Sequence, residues 1–362
     1  MMTSETRIPL PAGATLHPLV LPADAARMRA YADARNRCLT ETTGRDDDHL
    51  DADGVRTLLA SDADMRRRAW SVELDGRMVG VAHLNVALDG DGTTAEWHVS
   101  LYREVQGRGI GSAAAAHIDE LARADGVREL QTWAEQPAGD AEMLPAPTGF
   151  GGVPHDRVAR FLLASGHSLE QVYRISEYTW TPGSVDRLTA LRADAEAHSA
   201  DYRVVGWMLP TPPRYVPGYA WMKSRMSTDA PSAGLDTPEE VWDAGRVARH
   251  DRRWADMGFD LQVTAAEHLA TGELCAFNEL GRRGPADSVT LQNDTLVLSA
   301  HRGHRLGLLV KTAGMLNWRD RFPLSDRIIT YNAEENRPML SINETIGFEA
   351  IAYEGAWKKD LR

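Results

Sequence analysis

The sequence predicts an α/β fold in which two similar strand-and-helix domains follow one another, and three observations lead there. The chain has 362 residues, enough for two domains of about 150 to 200 residues that each bury a core. Strand-like and helix-like stretches alternate along it. The same order of elements also occurs twice at one offset: Gly76 maps to Gly272, Gln106 to Arg302 and Gly111 to Gly307, each shifted by 196 positions. A duplicated domain explains a turn glycine and a loop motif sharing an offset, whereas a solenoid needs many shorter repeats. The expected boundaries are a first domain over 1–182, a linker over 183–200 and a second domain over 201–362.

In the first copy, WSVELDGRMVGVAHLNV alternates strand-formers around Asp75-Gly76, a dipeptide suited to a type I′ turn, and predicts a β-hairpin. TTAEWHVSLYREV reads as a strand that passes through QGRGIG into an alanine-rich helix ending near Gly126. Leu130 to Glu135 reads as another strand, DRVARFLLASGH as a helix stopping at Gly166, and LEQVYRISEYTW as the strand that closes the unit. The second copy repeats this as a hairpin around Gly272, TLVLSAHRGHRLG, a helix to about Arg321, the strand DRIITYN and the helix ENRPMLSINETIGF. Between the copies, DRLTALRADAEAHS reads as a short connecting helix.

Composition excludes several classes. Forty basic against fifty-two acidic residues leave a net charge of -12, which repels nucleic acid. No apolar run approaches the roughly 20 residues of a membrane span, and the first residues lack a basic head with an apolar core, so no membrane partner and a cytoplasmic setting are expected. Cys38 and Cys275 lie far apart without metal-like spacing, which predicts no metal and no disulfide framework.

The chemistry is expected at Gln106-Gly107-Arg108-Gly109-Ile110-Gly111, where a strand hands over to a helix. Three glycines permit close backbone approach, and a helix N-terminus offers free N–H groups and a positive dipole end that suit a pyrophosphate. A P-loop is excluded because no GK[ST] follows, and a Rossmann fingerprint would open a βαβ unit rather than follow a hairpin and a further strand. A tight turn without a ligand stays open as the plain alternative.

The spacing QxxGxG at Gln106, Gly109 and Gly111, between VSLYREV and a small-residue helix, resembles the acyl-CoA pyrophosphate loop of the GNAT acetyltransferase superfamily. RGHRLG, with Arg302 and Gly307, resembles a variant of it, with Arg305 where Gly109 stands. The resemblance implies two tandem GNAT domains, a layout similar to the mycothiol synthase type, each a mixed, mainly antiparallel twisted sheet flanked by helices. It further implies acetyl-CoA or another acyl-CoA as cofactor and a small-molecule amine acceptor attacking the thioester directly.

By the same resemblance, cofactor contacts fall on Leu101, Arg103, Gln106, Gly107, Arg108, Gly109, Ile110, Gly111 and Ser112 in the first copy. In the second they fall on Val297, Ser299, Arg302, Gly303, His304, Arg305, Leu306, Gly307, Asn332, Asn336 and Asn343. The central-strand backbone at Leu101, Arg103, Val297 and Ser299 is expected to hold the pantetheine arm. The family's Asn helix is partly kept at Asn336, Met339, Asn343 and Gly347-Phe348, with Asn343 replacing the acidic Tyr. The first copy has His155, Val158, Leu162 and Gly166-His167 there.

An alkylammonium with a pKa of about 10.4 must lose a proton before it attacks, so a base is required. Glu96 is the first candidate, Glu135 the second, and His98 lies two residues from Glu96 on the same side of the strand. Tyr331 is the candidate to replace the missing acid, and Asp294 takes the position of His98. Residues 210–226 read as an acceptor-pocket wall or an interdomain surface, and residues 135–156 as a lid or a disordered loop. The expected function is an N-acyltransferase with one half possibly non-catalytic; the alternative is a non-catalytic acyl-CoA-binding sensor or scaffold.

Overall fold

The computed structural model describes residues 7–88, 92–136, 142–229, 231–237 and 239–361. The first repeat runs β1 (Ile8–Pro9), β2 (Thr15–Pro18), α1 (Ala25–Thr43), α2 (Ala52–Leu59), β3 (Met65–Leu74), β4 (Arg77–Ala87), β5 (Thr94–Leu101), α3 (Ile110–Ala124), β6 (Glu129–Gln136), β7 (Met143–Pro145), β8 (Gly152–Pro154), α4 (Arg157–Ala164) and β9 (Ser168–Thr179). After α5 (Ser184–Ala197), the second runs β10 (Tyr202–Met208), α6 (Val216–Asp229), α7 (Ala244–Asp256), β11 (Phe259–His268), β12 (Leu274–Arg283), β13 (Thr290–Val297), α8 (Leu306–Arg321), β14 (Arg327–Ala333), α9 (Arg337–Ile346) and β15 (Glu349–Asp360).

Local chemistry sets these elements where the sequence places them. Asp75 and Gly76 both have positive φ, 50° and 74°, as a type I′ turn between β3 and β4 requires. Asp24, Asp51, Asp156 and Asp243 cap α1, α2, α4 and α7 through their carboxylates, and Asn336 caps α9.

Two compact units result, and they cut across the sequence halves. One holds the described residues within Met1–Val172, Ala233–Asp236 and Tyr353–Arg362; the other holds those within Tyr173–Ser232 and Thr237–Ala352. The first unit's sheet has the order β1-β2-β3-β4-β5-β6-β15, antiparallel except for the parallel β5/β6 pair. The second unit's sheet has the order β9-β14-β13-β12-β11-β10, antiparallel except for β13/β14. Each is a mixed, mainly antiparallel sheet flanked by helices.

The closing strand differs from expectation. Residues 173–179 of β9 pair with β14, while residues 353–360 of β15, the last strand of the chain, pair with β6. A strand's alternation sets which face is buried but not which neighbour it joins, so nothing local in LEQVYRISEYTW distinguishes the two partners. The segment read as a linker is α5, whose Leu188 and Ala195 are fully buried in the second unit's core beside Leu309 and Trp318. Residues 137–141 of the expected lid lie outside the described residues; the described part forms the β7/β8 hairpin.

In the first unit, helices cover both faces of the sheet. Trp97 of β5 meets Phe161 of α4, and Trp70 of β3 meets His117 of α3. On the opposite face α1 packs through Tyr31, whose hydroxyl donates to the Ala82 carbonyl, and Arg27, which donates to Ser71. His167, standing where the family motif has Phe, accepts the Trp97 indole N–H at 3.0 Å. Burial holds this imidazole neutral, with a pKa lowered to about 4. His167→Phe is therefore expected to cost about 1–3 kcal/mol in chemical denaturation at pH 7, because the buried indole loses its acceptor. The unfolded state takes up a proton near pH 6.5 and the folded state only near 4, so in the wild type this contribution is complete above pH 6.5 and declines towards pH 4.

Candidate functional site

Both units contain the same backbone device. In the first, β5 pairs with β6 at Thr94–Glu129, Ala95–Leu130 and Glu96–Gln131, and the parallel pairing ends there. In the second, β13 pairs with β14 at Thr290–Ile328, Leu291–Ile329 and Gln292–Thr330, and stops likewise. Beyond these pairs the strands separate into a wedge with a main-chain edge exposed inside it.

A helix N-terminus follows each wedge. The chain leaves β5 through a 3-10 turn over Arg103–Val105 and enters α3 at Gly109, whose φ of 79° is left-handed. No side chain caps α3, so the N–H groups of Ile110, Gly111 and Ser112 lack intrahelical acceptors. Gly107 and Gly109 are exposed, and a Cβ on Gly109 would meet nothing nearer than Pro11 at 3.7 Å, so the approach to these donors is open. Gln106 braces the loop by donating to the Leu101 carbonyl at 2.9 Å. In the second unit Arg302 does the same to Val297 at 3.3 Å.

The second loop is less open. Arg305 holds the left-handed position with φ 54°, where only glycine is free of steric cost. Its guanidinium, on a residue expected to contact the cofactor, is engaged by Asp194.

Residues 29–143 match the model of the acetyltransferase (GNAT) family. A tandem GNAT protein from the clavulanic acid biosynthesis pathway superposes with a TM-score of 0.73 at 23% identity, covering 96% of this chain and 99% of that one. The chain has the tandem GNAT fold. A GCN5-related N-acetyltransferase from Sphaerobacter thermophilus superposes with a TM-score of 0.61 at 13% identity, covering 98% and 97%. A search among curated proteins finds no significant match.

In the first GNAT unit the wedge apex carries ionisable groups on the α1 side of the sheet. Glu96 holds the last paired position of β5, directly across from Asn85 on β4, and the next pair on that face is His98 opposite His83. The two imidazoles stack with centroids 5.5 Å apart, and His83 Nε2 lies 3.9 Å from Glu96 Oε1. Protein surrounds Glu96 on most sides, yet 48% of its side-chain surface is open, so solvent reaches it through the recess. Burial pushes its pKa up, but His83 foremost, with Asn85 and His98, more than offsets this and leaves the carboxyl below its ordinary value. Burial, followed by the charge of His83, takes His98 down to about 3.

Three more carboxyl groups join that face. Glu135 on β6 receives two hydrogen bonds from Arg45, at 2.7 and 2.8 Å, so this second candidate base is committed to an ion pair. Glu354 on β15 sits directly across from Glu135 in the strand register. Burial and then the neighbouring charges of Glu135, Asp48 and Glu96 push it up to about 8 against the pull of Arg45. Burial likewise raises Glu135, and the protein atoms crowded around Asp48 raise it too although its surface is open to solvent. Glu354 and His83 escaped the sequence reading. His83 was accessible from the hairpin register, whereas Glu354 depends on a strand from the far end of the chain.

The second unit fills its wedge differently. Gln292 stands at the Glu96 position, is buried, and donates to Thr330 at 3.1 Å. Asp294 is tied to Lys223, which also reaches Glu279 at 3.3 Å, and Tyr219 donates to Glu279. Asn332 and Asn343 are joined at 2.6 Å, and Lys311 donates to Asn343 at 2.7 Å. Burial takes that lysine down to about 7. Tyr331 packs against Ile175 and Ile329, and Asn336 is engaged as the cap of α9.

Two residues expected on the central-strand edge lie beyond it. Arg103 lies past the strand in the 3-10 turn, and its backbone N–H donates to Glu41 at 2.6 Å. Ser299 starts the corresponding turn Ser299–His301. The strand residues past the last parallel pair are 97–101 of β5 and 293–297 of β13. A cavity of about 600 Å³ in the second unit, between α7 and β11 near Val247 and Leu261, contains neither wedge nor loop. Of the aromatic residues of 210–226, Tyr215 and Tyr219 pack into a core with Trp207 and Phe277, while Trp221 is exposed. No helix among the described residues is long and apolar enough to cross a membrane.

Proposed function

We propose that the protein is an acyl-CoA-dependent N-acyltransferase using acetyl-CoA, and that the wedge between β5 and β6 is its working site. One observation carries this reading: only the first unit joins an open glycine loop to an ionised carboxylate at the wedge apex, Glu96. The uncapped N–H groups of Ile110, Gly111 and Ser112 suit a pyrophosphate, and the free edge of β5 suits the amides of a pantetheine arm. When bound, acyl-CoA supplies the acyl group as an activated thioester.

The chain's own groups prepare the amine. Glu96 takes the ammonium proton on a carboxylate oxygen, directly or through one water, with His83 3.9 Å away and Asn85 directly across the strand pair beside that carboxylate. Asp48, Glu135 and Glu354 share Arg45, with Arg35 beside Asp48, and their raised pKa values favour a cationic guest. The acceptor is therefore an amine with a second positive charge. Cys38 and Cys275 are buried, with thiols raised by burial to about 12 and about 11, so neither is a nucleophile for a covalent intermediate. In the second unit, Gln292 cannot take a proton and Arg305 crowds the loop, which supports a binding or structural role there.

A panel of mono-, di- and polyamines with acetyl-CoA, read by release of free CoA thiol, tests this. Turnover favouring diamines and polyamines is expected; absence of turnover from a protein that binds acetyl-CoA would establish the sensor alternative. The acceptor KM should also fall as pH rises towards 8, because Glu354 loses its proton there. Glu354→Gln should flatten that dependence. It should also raise the melting temperature at pH 8 by a few degrees with no gain at pH 5, since the raised carboxyl costs stability only once the unfolded state ionises it and the folded state resists.

A further inference from the structure

The second unit holds a group of side chains that acyl transfer leaves unused. We propose that Glu273, Cys275 and His301 form a binding site for a divalent metal ion of the zinc class. The carboxylate oxygen, thiol sulfur and imidazole nitrogen all lie within 4.8 Å of one another, and His301 Nε2 is 3.8 Å from Glu273 Oε2. A tetrahedral ion with bonds of about 2.0–2.3 Å sets its ligands about 3.3–3.7 Å apart, so closing around one needs only small side-chain movements. One soft thiolate, one imidazole and one carboxylate select a borderline ion over calcium or magnesium. Three protein ligands leave a fourth position for water.

The surroundings orient these ligands. His301 Nδ1 is 2.9 Å from the Tyr202 hydroxyl; with the proton on Nδ1 donated to that oxygen, the Nε2 lone pair faces Glu273 and Cys275. Cys275 is fully buried, so its thiol meets no substrate, whereas 46% of the Glu273 side chain is open and gives an ion a way in. Binding releases the Cys275 proton to solvent and leaves the thiolate on the metal.

The repeat supplies an internal control. The positions 196 residues earlier are Arg77, Val79 and Val105, which cannot bind a metal. The local backbone is nevertheless the same, with Leu298 N–H donating to the Cys275 carbonyl at 2.9 Å and Tyr102 N–H to Val79 at 2.9 Å. The fold therefore does not require the three ligands. They sit where the hairpin start meets the turn leading into Arg302–Arg305, so an ion would pin the second loop to β12.

The test titrates Co²⁺ into chelator-treated, tag-free full-length protein. One equivalent should bind with a thiolate-to-cobalt charge-transfer band; Cys275→Ala should abolish the band, and His301→Ala and Glu273→Gln should each weaken binding about tenfold or more. Circular dichroism checks folding, and if Cys275→Ala does not fold, the open-sided Glu273→Gln decides. A folded wild type without the band, or Co²⁺ affinity unchanged in Glu273→Gln and His301→Ala, would overturn the site.

Discussion

Glu96→Gln should lower the acyl-transfer rate by about a hundredfold to ten-thousandfold while leaving acetyl-CoA affinity unchanged. The change is nearly isosteric and keeps a hydrogen-bonding group beside His83 and Asn85, so the lost property is the capacity to take a proton. The deficit should appear in kcat rather than in the acceptor KM, and it should shrink for amines of low pKa, which arrive already unprotonated. Glu135→Gln gives the contrast: it removes one of the carboxylates that neutralise Arg45, leaving Asp47, on a face meant for a cation, and should raise the acceptor KM with a smaller change in kcat. Steady-state kinetics of both variants separate the roles, and undiminished kcat in Glu96→Gln would remove it as the base.

The largest expected loss of stability comes from Lys223→Met, about 3–5 kcal/mol in urea denaturation. Lys223 is buried and faces Glu279, which is almost fully buried, and Asp294. Burial alone lowers its pKa, but the two carboxylates outweigh that and raise it. Removing the ammonium leaves Glu279 buried without its cation, and Tyr219 offers only one neutral hydrogen bond in compensation. Adding Glu279→Gln to Lys223→Met should recover a substantial part of the loss, because the stranded charge is then gone. If the single variant is as stable as the wild type, the network is not what holds α6 to the second sheet.

Much of the fold was legible because its signals are local. Asp75-Gly76 specifies its hairpin, and the shared offset of Gly76, Gln106 and Gly111 reveals the duplication without any structure. The equivalence of Gln106 and Arg302 proved physical, since both brace the same carbonyl five residues back. The wedges follow from strand pairing and were approached only through family resemblance. What stayed hidden depends on distant pairing. The partners of β9 and β15 are fixed by the assembled sheets, so Glu354 had no visible link to Glu135. The Arg45 pair spans 90 residues and left Glu135 looking like a free base. Arg103 and Ser299 read as strand continuations because a 3-10 turn of three residues leaves no periodic trace.

Calorimetric titration of acetyl-CoA into the wild type and Ser112→Glu tests the central claim most directly. Residue 112 is exposed in the first turn of α3, where a glutamate suits the helix and repels a pyrophosphate, so the variant should fold normally. The account predicts binding to the wild type that weakens at least tenfold in Ser112→Glu and is little changed in Arg305→Glu, a substitution in the second loop. Absence of binding in the folded wild type, or equal affinity in Ser112→Glu, would contradict it.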